Sequence, residues 1–258
     1  MCNKITYINK LVVNLKMTRI LTIILVFIGT IAFGQSVQID TFRLEKSERF
    51  KDIQSDKMNF PIIRSGNKEI DSLINYDLKN RFTRNEYPTE WLDSTLLKWA
   101  GDQIIFLDFQ VTYNQNGILS INVSAEGCGA YCTSWTDYFN YSTSNGERLN
   151  ISHVIDNIAE FKSTVEKDRK EQYAEQKRLL KEMLNDQDSG LDEATYEWAL
   201  ENYDDCEKNS DLESFAIYQD RIEIIEDCYL PNAIKNLTPI IELNYNFSEI
   251  GEGLKIKN

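Results

Sequence analysis

Strict alternation of apolar side chains in the middle of the chain constrains the fold more than any other feature. Apolar residues occupy every second position over 105–113, which is the period of a β-strand with one buried face. Asn116-Gly117 follows, the dipeptide most typical of a two-residue hairpin turn. Residues 118–123 then predict a returning strand, and residues 136–141 predict a third. We therefore expect an antiparallel meander with short connections.

Helical periodicity frames this meander on both sides. Apolar residues recur at three- and four-residue spacing over 68–82, which predicts an amphipathic helix. The segment at about 158–203 is highly charged, with acid–base pairs at helical spacing. A break at Asp188-Ser189-Gly190 divides it into two helices. In the second helix we expect Trp198 and Leu200 to be the buried anchors.

Short segments complete the pattern. A helical turn is predicted at residues 91–99, and extended segments at 39–43, 60–63, 215–218, 221–225 and 239–247. Together these elements predict an α+β fold. It consists of an antiparallel β-sheet with helices packed on it, plus a charged helical insertion at about 158–203.

An apolar stretch near the amino terminus predicts an export signal. Residues 20–31 are apolar apart from Thr and Gly, and Arg19 supplies a positive flank. Ala32 and Gly34 are the small residues that a signal peptidase requires. A membrane anchor is the competing interpretation, but the run is shorter than the roughly 20 residues that cross a bilayer. We expect cleavage after Gly34 and a periplasmic or secreted product with no membrane span.

The predicted cleavage divides the chain into two parts. Residues 1–34 are a signal peptide with an upstream extension, in which Met17 is the expected true start. Residues 35–258 are a single domain. Cys2 precedes the apolar run, whereas the lipidated cysteine of a lipoprotein follows it, so we expect no lipid anchor at this end.

The charge of the chain excludes two classes of partner. The formal net charge is −13, and because residues 1–34 hold four basic residues and no acid, the remainder carries −17. Such a surface repels nucleic acid and anionic lipid. A cationic partner is compatible with it, and so is a simple role of the charge in solubility.

Four cysteines follow the predicted signal: Cys128, Cys132, Cys206 and Cys228. In an oxidising compartment an even number predicts disulfides, with three connectivities open. The spacing of Cys128 and Cys132 also allows a zinc site or a redox pair. Among the disulfide pairings we favour bonds from these two cysteines to Cys206 and Cys228, since a bond between neighbours cannot tie distant parts together.

The central motifs resemble a known domain family. They are Asn116-Gly117, Gly127-x-Gly129-Ala130-Tyr131, Tyr138-Phe139-Asn140-Tyr141, Asn145-Gly146-Glu147 and Leu149-x-Ile151. Pro61-Ile62-Ile63 before a helix, and a strand pair at 215–225 before 239–245, extend the similarity over roughly residues 38–252. In this arrangement the chain resembles the PdaC/RsiV-like domain of the lysozyme-sensing anti-sigma factor and of a peptidoglycan deacetylase's extracellular region.

This resemblance implies an α+β fold outside the cytoplasm. In one member of the family the domain binds lysozyme, and in another it accompanies a catalytic deacetylase domain that we do not expect in this chain. Here cysteines surround Gly129-Ala130-Tyr131, and a cytoplasmic anti-sigma segment is not expected. Neither the sigma-factor role nor a set of lysozyme-binding residues is therefore carried over.

No residue set predicts catalysis, a metal ion or a cofactor. His153 is the only histidine and lies at a strand-to-helix junction, where a helix-start role is expected. Glu126 and Asp137 are a candidate carboxylate pair for general acid–base chemistry. Asp204-Asp205 and Glu226-Asp227 would supply calcium ligands if their segments met. With 41 acidic residues, chance pairs are expected, so solvated faces are the default interpretation.

Two classes of function follow from the sequence. The preferred one is a non-enzymatic envelope protein that binds a protein or a cell-wall glycan, with a cationic protein such as lysozyme as one partner. Its expected recognition surface is the Gly127–Trp135 loop, with Glu126, Tyr131 and Trp135 as binding residues, because loops on rigid scaffolds and exposed aromatic side chains carry recognition. The alternative is a cell-wall hydrolase that uses paired carboxylates.

Overall fold

Three antiparallel sheets carry the β-structure of the described residues. The computed structural model describes residues 36–45, 58–101, 103–209 and 212–256, so the predicted export signal and Cys2 lie outside them. The first sheet is β1 (Gln38–Arg43) and β2 (Asn59–Arg64). The second is β3 (Ile104–Gln115), β4 (Ile118–Cys128) and β5 (Cys132–Ser142), and the third is β6 (Phe215–Ile217), β7 (Arg221–Ile224) and β8 (Leu243–Asn246).

Helices complete the α+β fold that the sequence predicts. They are α1 (Lys68–Phe82), α2 (Leu92–Ala100), α3 (Ile151–Val154), α4 (Ile158–Asn185), α5 (Glu193–Asn209) and α6 (Phe247–Ile250), with 3₁₀ segments at Asn232–Leu237 and Gly251–Gly253. Within the described part of the chain, none of them is long and apolar enough to cross a membrane.

The predicted meander is the β3–β4–β5 sheet. Asn116 and Gly117 both have positive φ, 54° and 76°, the backbone shape of a two-residue turn whose twist matches its strands. Gln115 pairs directly with Ile118 across this turn. One face of β4 is then buried in an apolar core, through Leu119, Ile121, Val123 and Ala125.

Helix α1 contributes to the same core and has the bounds that its periodicity predicts. Asn67 caps it by accepting a hydrogen bond from Glu69 N at 2.9 Å. Ile74, Leu78 and Phe82 are buried at one-turn spacing. Burial of one such side chain contributes roughly 1.5–3 kcal/mol, so this contact is a substantial part of the stability.

The third sheet packs on the opposite face of the meander. Asn140 Nδ2 donates to the Phe215 carbonyl at 2.7 Å, and Ile217 N donates to Ser120 Oγ at 3.0 Å. Both polar side chains are buried. They join two sheets that share no strand.

The charged insertion is a hairpin of α4 and α5. Ala199 and Tyr203 of α5 pack against α4 in a separate core. The prediction of Trp198 as a buried anchor is wrong, because its side chain is 41% exposed, and Leu200 is only partly buried. With 3.6 residues per turn, a residue next to Ala199 points well away from the inward face.

The carboxy-terminal strand is shorter than its apolar pattern predicts. The sequence favours a strand over 239–247, whereas β8 covers only Leu243–Asn246. Glu242 N donates to Gln172 Oε1 at 2.7 Å, and Gln172 Nε2 donates to the Glu242 carbonyl at 2.8 Å. A side chain from α4 thus takes the backbone groups that a strand ladder would use.

Candidate ligand-binding cleft

Two disulfides join the four cysteines of the domain, as predicted, but the favoured pairing is wrong. Cys128 bonds Cys132, and Cys206 bonds Cys228. Cys128 and Cys132 stand directly opposite each other across the β4–β5 hairpin, with Cα atoms 4.0 Å apart. Strand register therefore brings these side chains together, which the spacing alone does not reveal.

The same hairpin end carries an acid that could complete a metal site. Glu126, Cys128 and Cys132 each have a ligand atom within 4.8 Å of the others. Because the two sulfurs are bonded to each other, neither offers the thiolate that zinc requires. The zinc interpretation does not fit this oxidised hairpin.

Basic side chains hold the acids that flank the second disulfide. Lys177 Nζ lies 2.7 Å from Asp204 Oδ1, and Arg169 Nε lies 2.9 Å from Glu226 Oε2. These cations balance Asp204 and Glu226, which are two of the four carboxylates that the calcium hypothesis assigned to a metal. The two segments do meet, as that hypothesis requires, but through the Cys206–Cys228 disulfide, and each of them also forms an ion pair with α4.

The expected recognition loop is short. Only Gly129, Ala130 and Tyr131 lie between the paired strands, and the Tyr131 side chain is 73% exposed at this tip. Trp135 lies further along β5, partly buried against the first core. Glu126 is partly buried on β4, opposite Ser134.

The candidate carboxylate pair Glu126 and Asp137 is not brought together. Cross-strand partners share a face of a sheet, and successive residues alternate faces. Asp137 pairs with Val123, whose side chain is in the first core, whereas Glu126 pairs with Ser134 on the opposite face. These two acids cannot act on one substrate bond.

A groove lies beside Trp135, between β5 and the segment that follows Cys228. Its volume is about 740 Å³, within the range of small-molecule sites. Its described lining residues are Phe82, Arg84, Trp99, Thr133, Ser134, Trp135, Asn202, Tyr229, Leu230, Pro231, Asn232 and Lys235. Half of these residues are aromatic or aliphatic, and the two charged residues are both basic, although the chain as a whole is acidic.

The first wall of the groove is Phe82, Trp99 and Trp135, from α1, α2 and β5. Their rings form a chain of contacts, with centroids 5.0 Å apart for Phe82–Trp99 and 6.1 Å for Trp99–Trp135. The second pair meets edge to face, a favourable geometry for aromatic rings. Both tryptophans are partly buried, so each is fixed by packing while part of its ring stays available to a ligand.

The second wall is residues 229–235, and distant parts of the chain hold it. Cys228, directly before Tyr229, bonds Cys206 of α5. Tyr203 OH, also on α5, donates to the Leu237 carbonyl at 2.5 Å, just after this segment. The insertion therefore positions one side of the groove.

A buried ion pair ties the chain just before the second wall to α4. Glu226 accepts hydrogen bonds from Arg169 Nε at 2.9 Å and from Tyr173 OH at 3.0 Å, both on α4. The side chains of Arg169 and Glu226 are 6% and 3% exposed. Burial, followed by the Glu226 carboxylate, raises the pKa of Tyr173 well above its ordinary value. The hydroxyl therefore stays protonated as the donor to Glu226.

A more polar side pocket of about 470 Å³ adjoins the groove and shares Arg84, Trp135 and Tyr229 with it. We call the groove and this side pocket together the cleft. Arg84 Nη2 donates to Asp137 Oδ1 at 2.9 Å. Tyr229 OH donates to Asp227 Oδ1 at 3.4 Å. Two carboxylates and two guanidinium groups thus face the same space.

Two buried polar atoms of the side pocket have no hydrogen-bond partner among the described residues. They are Asp137 Oδ2 and Arg81 Nη1. Arg81 Nη1 lies 3.7 Å from Asp77 Oδ2, beyond hydrogen-bonding distance. An unsatisfied buried polar atom costs about 1–3 kcal/mol, which makes this pocket a natural place for a ligand that supplies partners.

The backbone at Arg84 is strained. Arg84 and Asn85 follow α1 with φ of 54° and 58°, the left-handed region that side-chain-bearing residues rarely adopt. This conformation costs roughly 1–2 kcal/mol for a residue such as arginine. It directs the chain so that Arg84 lines both parts of the cleft, and such strain often accompanies binding sites.

Tyr138 lines the side pocket, next to Asp137. Burial raises the pKa of Tyr138 to about 12, and the nearby Glu223 carboxylate adds to the effect. Burial also raises the pKa of Tyr229, with Asp227 as the next cause. Both tyrosines are therefore neutral hydrogen-bonding groups in the cleft at physiological pH.

His153 has a structural role at the start of α3. Its Nδ1 accepts a hydrogen bond from Asn150 N at 3.0 Å, and Asn150 in turn caps the helix through Ser152 N. This is the helix-start role that the sequence predicts. His153 is not among the described residues that line the groove beside Trp135.

Sequence reasoning found Trp135 but missed most of the cleft. Arg84, Trp99 and Tyr229 come from three distant segments that only the tertiary structure joins. The one local signal was Asn85, a residue type that favours the left-handed backbone after a helix.

Solved structures match this chain over most of its length, including the following two. One is a member of the DUF3298 family from Bacteroides fragilis, 12% identical, with 84% of this chain and 93% of that chain covered and a TM-score of 0.49. The other is a DUF3298 family protein from Pseudomonas aeruginosa, also 12% identical, with coverages of 83% and 94% and a TM-score of 0.44. No protein family and no curated protein matches the sequence. Both of these structural neighbours are DUF3298 proteins. Membership of the PdaC/RsiV-like family stays a prediction.

Proposed function

We propose that this domain is a non-enzymatic binding module of the cell envelope that holds part of a protein or of a cell-wall glycan in the cleft. The groove carries the proposal, because its size and its mixture of aromatic walls with a few polar groups are typical of ligand sites. Trp135 is the central residue, since it is fixed by Trp99 and lines both parts of the cleft.

An extracytoplasmic location is part of this proposal. The predicted export signal motivates it, and two disulfides are typical of an oxidising compartment. Amino-terminal sequencing of protein purified from its native host tests it. A first residue near Gln35 is the expected result, and a mature protein that begins at Met1 or Met17 would contradict it.

The proposed recognition surface is the cleft and not the hairpin tip that the sequence favours. Trp135 keeps its proposed binding role, together with Tyr229 and Arg84. The exposed Tyr131 and the partly buried Glu126 belong to the tip and are absent from the described lining of both pockets. We therefore expect their replacement to affect ligand binding less than replacement of Trp135.

Titration of the mature protein, residues 35–258, with cell-wall glycan fragments and with lysozyme tests the function. We expect saturable binding of at least one of them and a loss of more than tenfold in affinity in Trp135→Ala. Trp91→Ala is the matched control, because Trp91 is 85% exposed and lies outside the lining of the cleft. Tyr229→Ala is a second test that does not disturb the first core, since Tyr229 is 67% exposed.

Salt separates the two ligand types. A cationic protein such as lysozyme is attracted by the acidic surface, so its association should be faster at low salt than at high salt. Binding of an uncharged glycan should change little with salt. Unchanged affinity in a folded Trp135→Ala protein, for every ligand that binds, would exclude the cleft as the site.

A hydrolase is the second candidate, and one observation favours it. Asp137 and Asp227 both line the side pocket, where two carboxylates could act on one bond. Incubation with cell-wall glycan, followed by mass spectrometry of the products, decides between the candidates. Cleavage that is lost in both Asp137→Asn and Asp227→Asn would establish the hydrolase and overturn the binding role.

A further inference from the structure

One edge of the cleft is backbone, and its direction follows from strand pairing. Strand β5 is an edge strand of the meander, with β4 on one side only. In an antiparallel strand, the N–H and C=O of a residue point to one side, and successive residues alternate sides. The Asn140 carbonyl accepts from Leu149 N, and Ser142 N donates to the Glu147 carbonyl, both at 2.8 Å and both away from β4. Even-numbered residues of β5 therefore direct their backbone groups outward.

The disulfide at the hairpin end supports this assignment. Cys128 and Cys132 are directly opposite with Cα atoms only 4.0 Å apart, the close approach of a pair that does not exchange backbone hydrogen bonds. Cys132 is even-numbered, so its backbone groups also point away from β4. Both ends of the strand thus give the same register.

The outward ladder of β5 stops at residue 140. Ser134, Thr136 and Tyr138 have outward backbone groups for which the described residues supply no backbone partner. Residues 135–139 line the side pocket, opposite Asp227 and Tyr229. Proteins usually cover or block such an edge, because it is ready to pair with another chain.

We propose that an extended peptide segment of a partner protein adds to β5 as an edge strand along Ser134–Tyr138. This inference rests on the proposed function and names the ligand class of the same cleft. Open donors and acceptors repeat along the edge every second residue, roughly 6.8 Å, and a peptide backbone has the same period. The hydroxyl groups of a glycan do not follow that spacing.

Side chains of the added strand would alternate between two environments. On one side lie Trp135 and Asp137, where Asp137 Oδ2 is a buried acceptor without a described partner. A hydroxyl, amide or ammonium group of the peptide satisfies it. The adjoining groove then accepts a neighbouring apolar or aromatic side chain between Trp135 and Tyr229. The new strand continues the ladder that residues 147–149 already begin.

A random heptapeptide library is the probe for this proposal. The tightest binder is synthesised with a single backbone N-methyl group at each position in turn, and its affinity for the mature protein is measured. We expect losses of about tenfold at every second position, because each of those methyl groups removes one ladder hydrogen bond. Losses without this period of two, or a library that yields no binder, would overturn strand addition.

Proline in the protein provides the reciprocal test. Thr136→Pro removes an outward N–H without touching the ladder to β4, a placement that edge strands tolerate. We expect about a tenfold loss of peptide binding and a folded protein, with Ser134→Pro as the second variant in case the first unfolds. Trp91→Ala again serves as the control.

The two proposals fail in different ways. A ligand that loses affinity in Trp135→Ala but binds equally well to folded Thr136→Pro or Ser134→Pro would overturn strand addition and leave the binding module intact. If no glycan, lysozyme or peptide binds, both proposals are wrong.

Discussion

The two walls of the cleft are built in opposite ways. Phe82 and Trp99 of the first wall belong to helices that their own periodicity predicts, and Trp135 directly precedes the predicted third strand. All three meet in one continuous core. The second wall, residues 229–235, has little regular structure apart from a 3₁₀ segment. It is held by bonds to the charged helical insertion.

The bonds of the second wall all span long distances in sequence. Cys206 and Cys228 are 22 residues apart, Tyr203 and Leu237 are 34 apart, and Arg169 and Glu226 are 57 apart. Because the second wall has little regular structure of its own, loss of one of these bonds removes a large part of what holds it. The insertion, which lies outside the meander, therefore holds one side of the cleft in place.

The largest expected effect comes from the buried ion pair behind the second wall. Glu226→Gln removes the charge that Arg169 and Tyr173 face, so we expect the free energy of unfolding to fall by about 3–5 kcal/mol. Urea unfolding at neutral pH measures it. The double variant Arg169→Met/Glu226→Leu should recover most of the loss, because it removes both buried charges.

An exposed ion pair on the same helix is the matched control for this change. Lys167 and Glu171 lie 3.7 Å apart with side chains 72% and 67% exposed. Glu171→Gln should change the free energy of unfolding by less than about 0.5 kcal/mol. If Glu226→Gln behaves like this control, the second wall does not depend on the ion pair.

Removal of the Cys206–Cys228 disulfide is expected to have the next largest effect. The chain-entropy relation gives a loss of about 3 kcal/mol for a loop of 22 residues. We also expect weaker ligand binding in Cys206→Ala/Cys228→Ala, because Tyr229 is next to the bond. Unchanged affinity in a folded variant would show that the disulfide does not set the cleft.

Removal of the Cys128–Cys132 disulfide should have a smaller effect. The same relation gives at most about 2 kcal/mol for so short a loop, and the strand ladder already holds the two cysteines in register. Cys128→Ala/Cys132→Ala should bind ligand like the unaltered protein. A larger loss than in Cys206→Ala/Cys228→Ala, by urea unfolding, would reverse the comparison of the walls.

The smallest effect at neutral pH concerns Tyr138, which lines the side pocket. Burial, and then the Glu223 carboxylate, raise the pKa of Tyr138 from 10.0 to about 12. Because the folded-state pKa is raised, the contribution of neutral Tyr138 to the free energy of unfolding is intact below pH 10. It is lost as the pH rises through about 12. We expect unfolding free energies measured in urea to fall over that range, and less steeply in Tyr138→Phe. An equal slope in the variant would place the alkaline sensitivity elsewhere, for example at Tyr218.

The sequence by itself determined the regular elements and much of the first wall. Alternation, the Asn116-Gly117 turn and the apolar spacing of 68–82 act over a few residues, so they predicted the meander and the bounds of α1. The predicted export signal and the even number of cysteines also predicted disulfides, because neither feature depends on the fold. Trp135 stood out for its type and its place in the predicted Gly127–Trp135 loop, whereas the structure places it on β5.

Only the tertiary structure decided which cysteines pair, which face each acid occupies and where the second wall lies. A shift of one residue in register would have moved Asp137 to the other face, and register depends on all three strands together. Trp198 was misplaced for the same kind of reason, since the inward face of α5 is set by α4. The cleft joins Arg84, Trp135 and Tyr229, and no local pattern specifies contacts between segments so far apart, because they form only once the cores have packed.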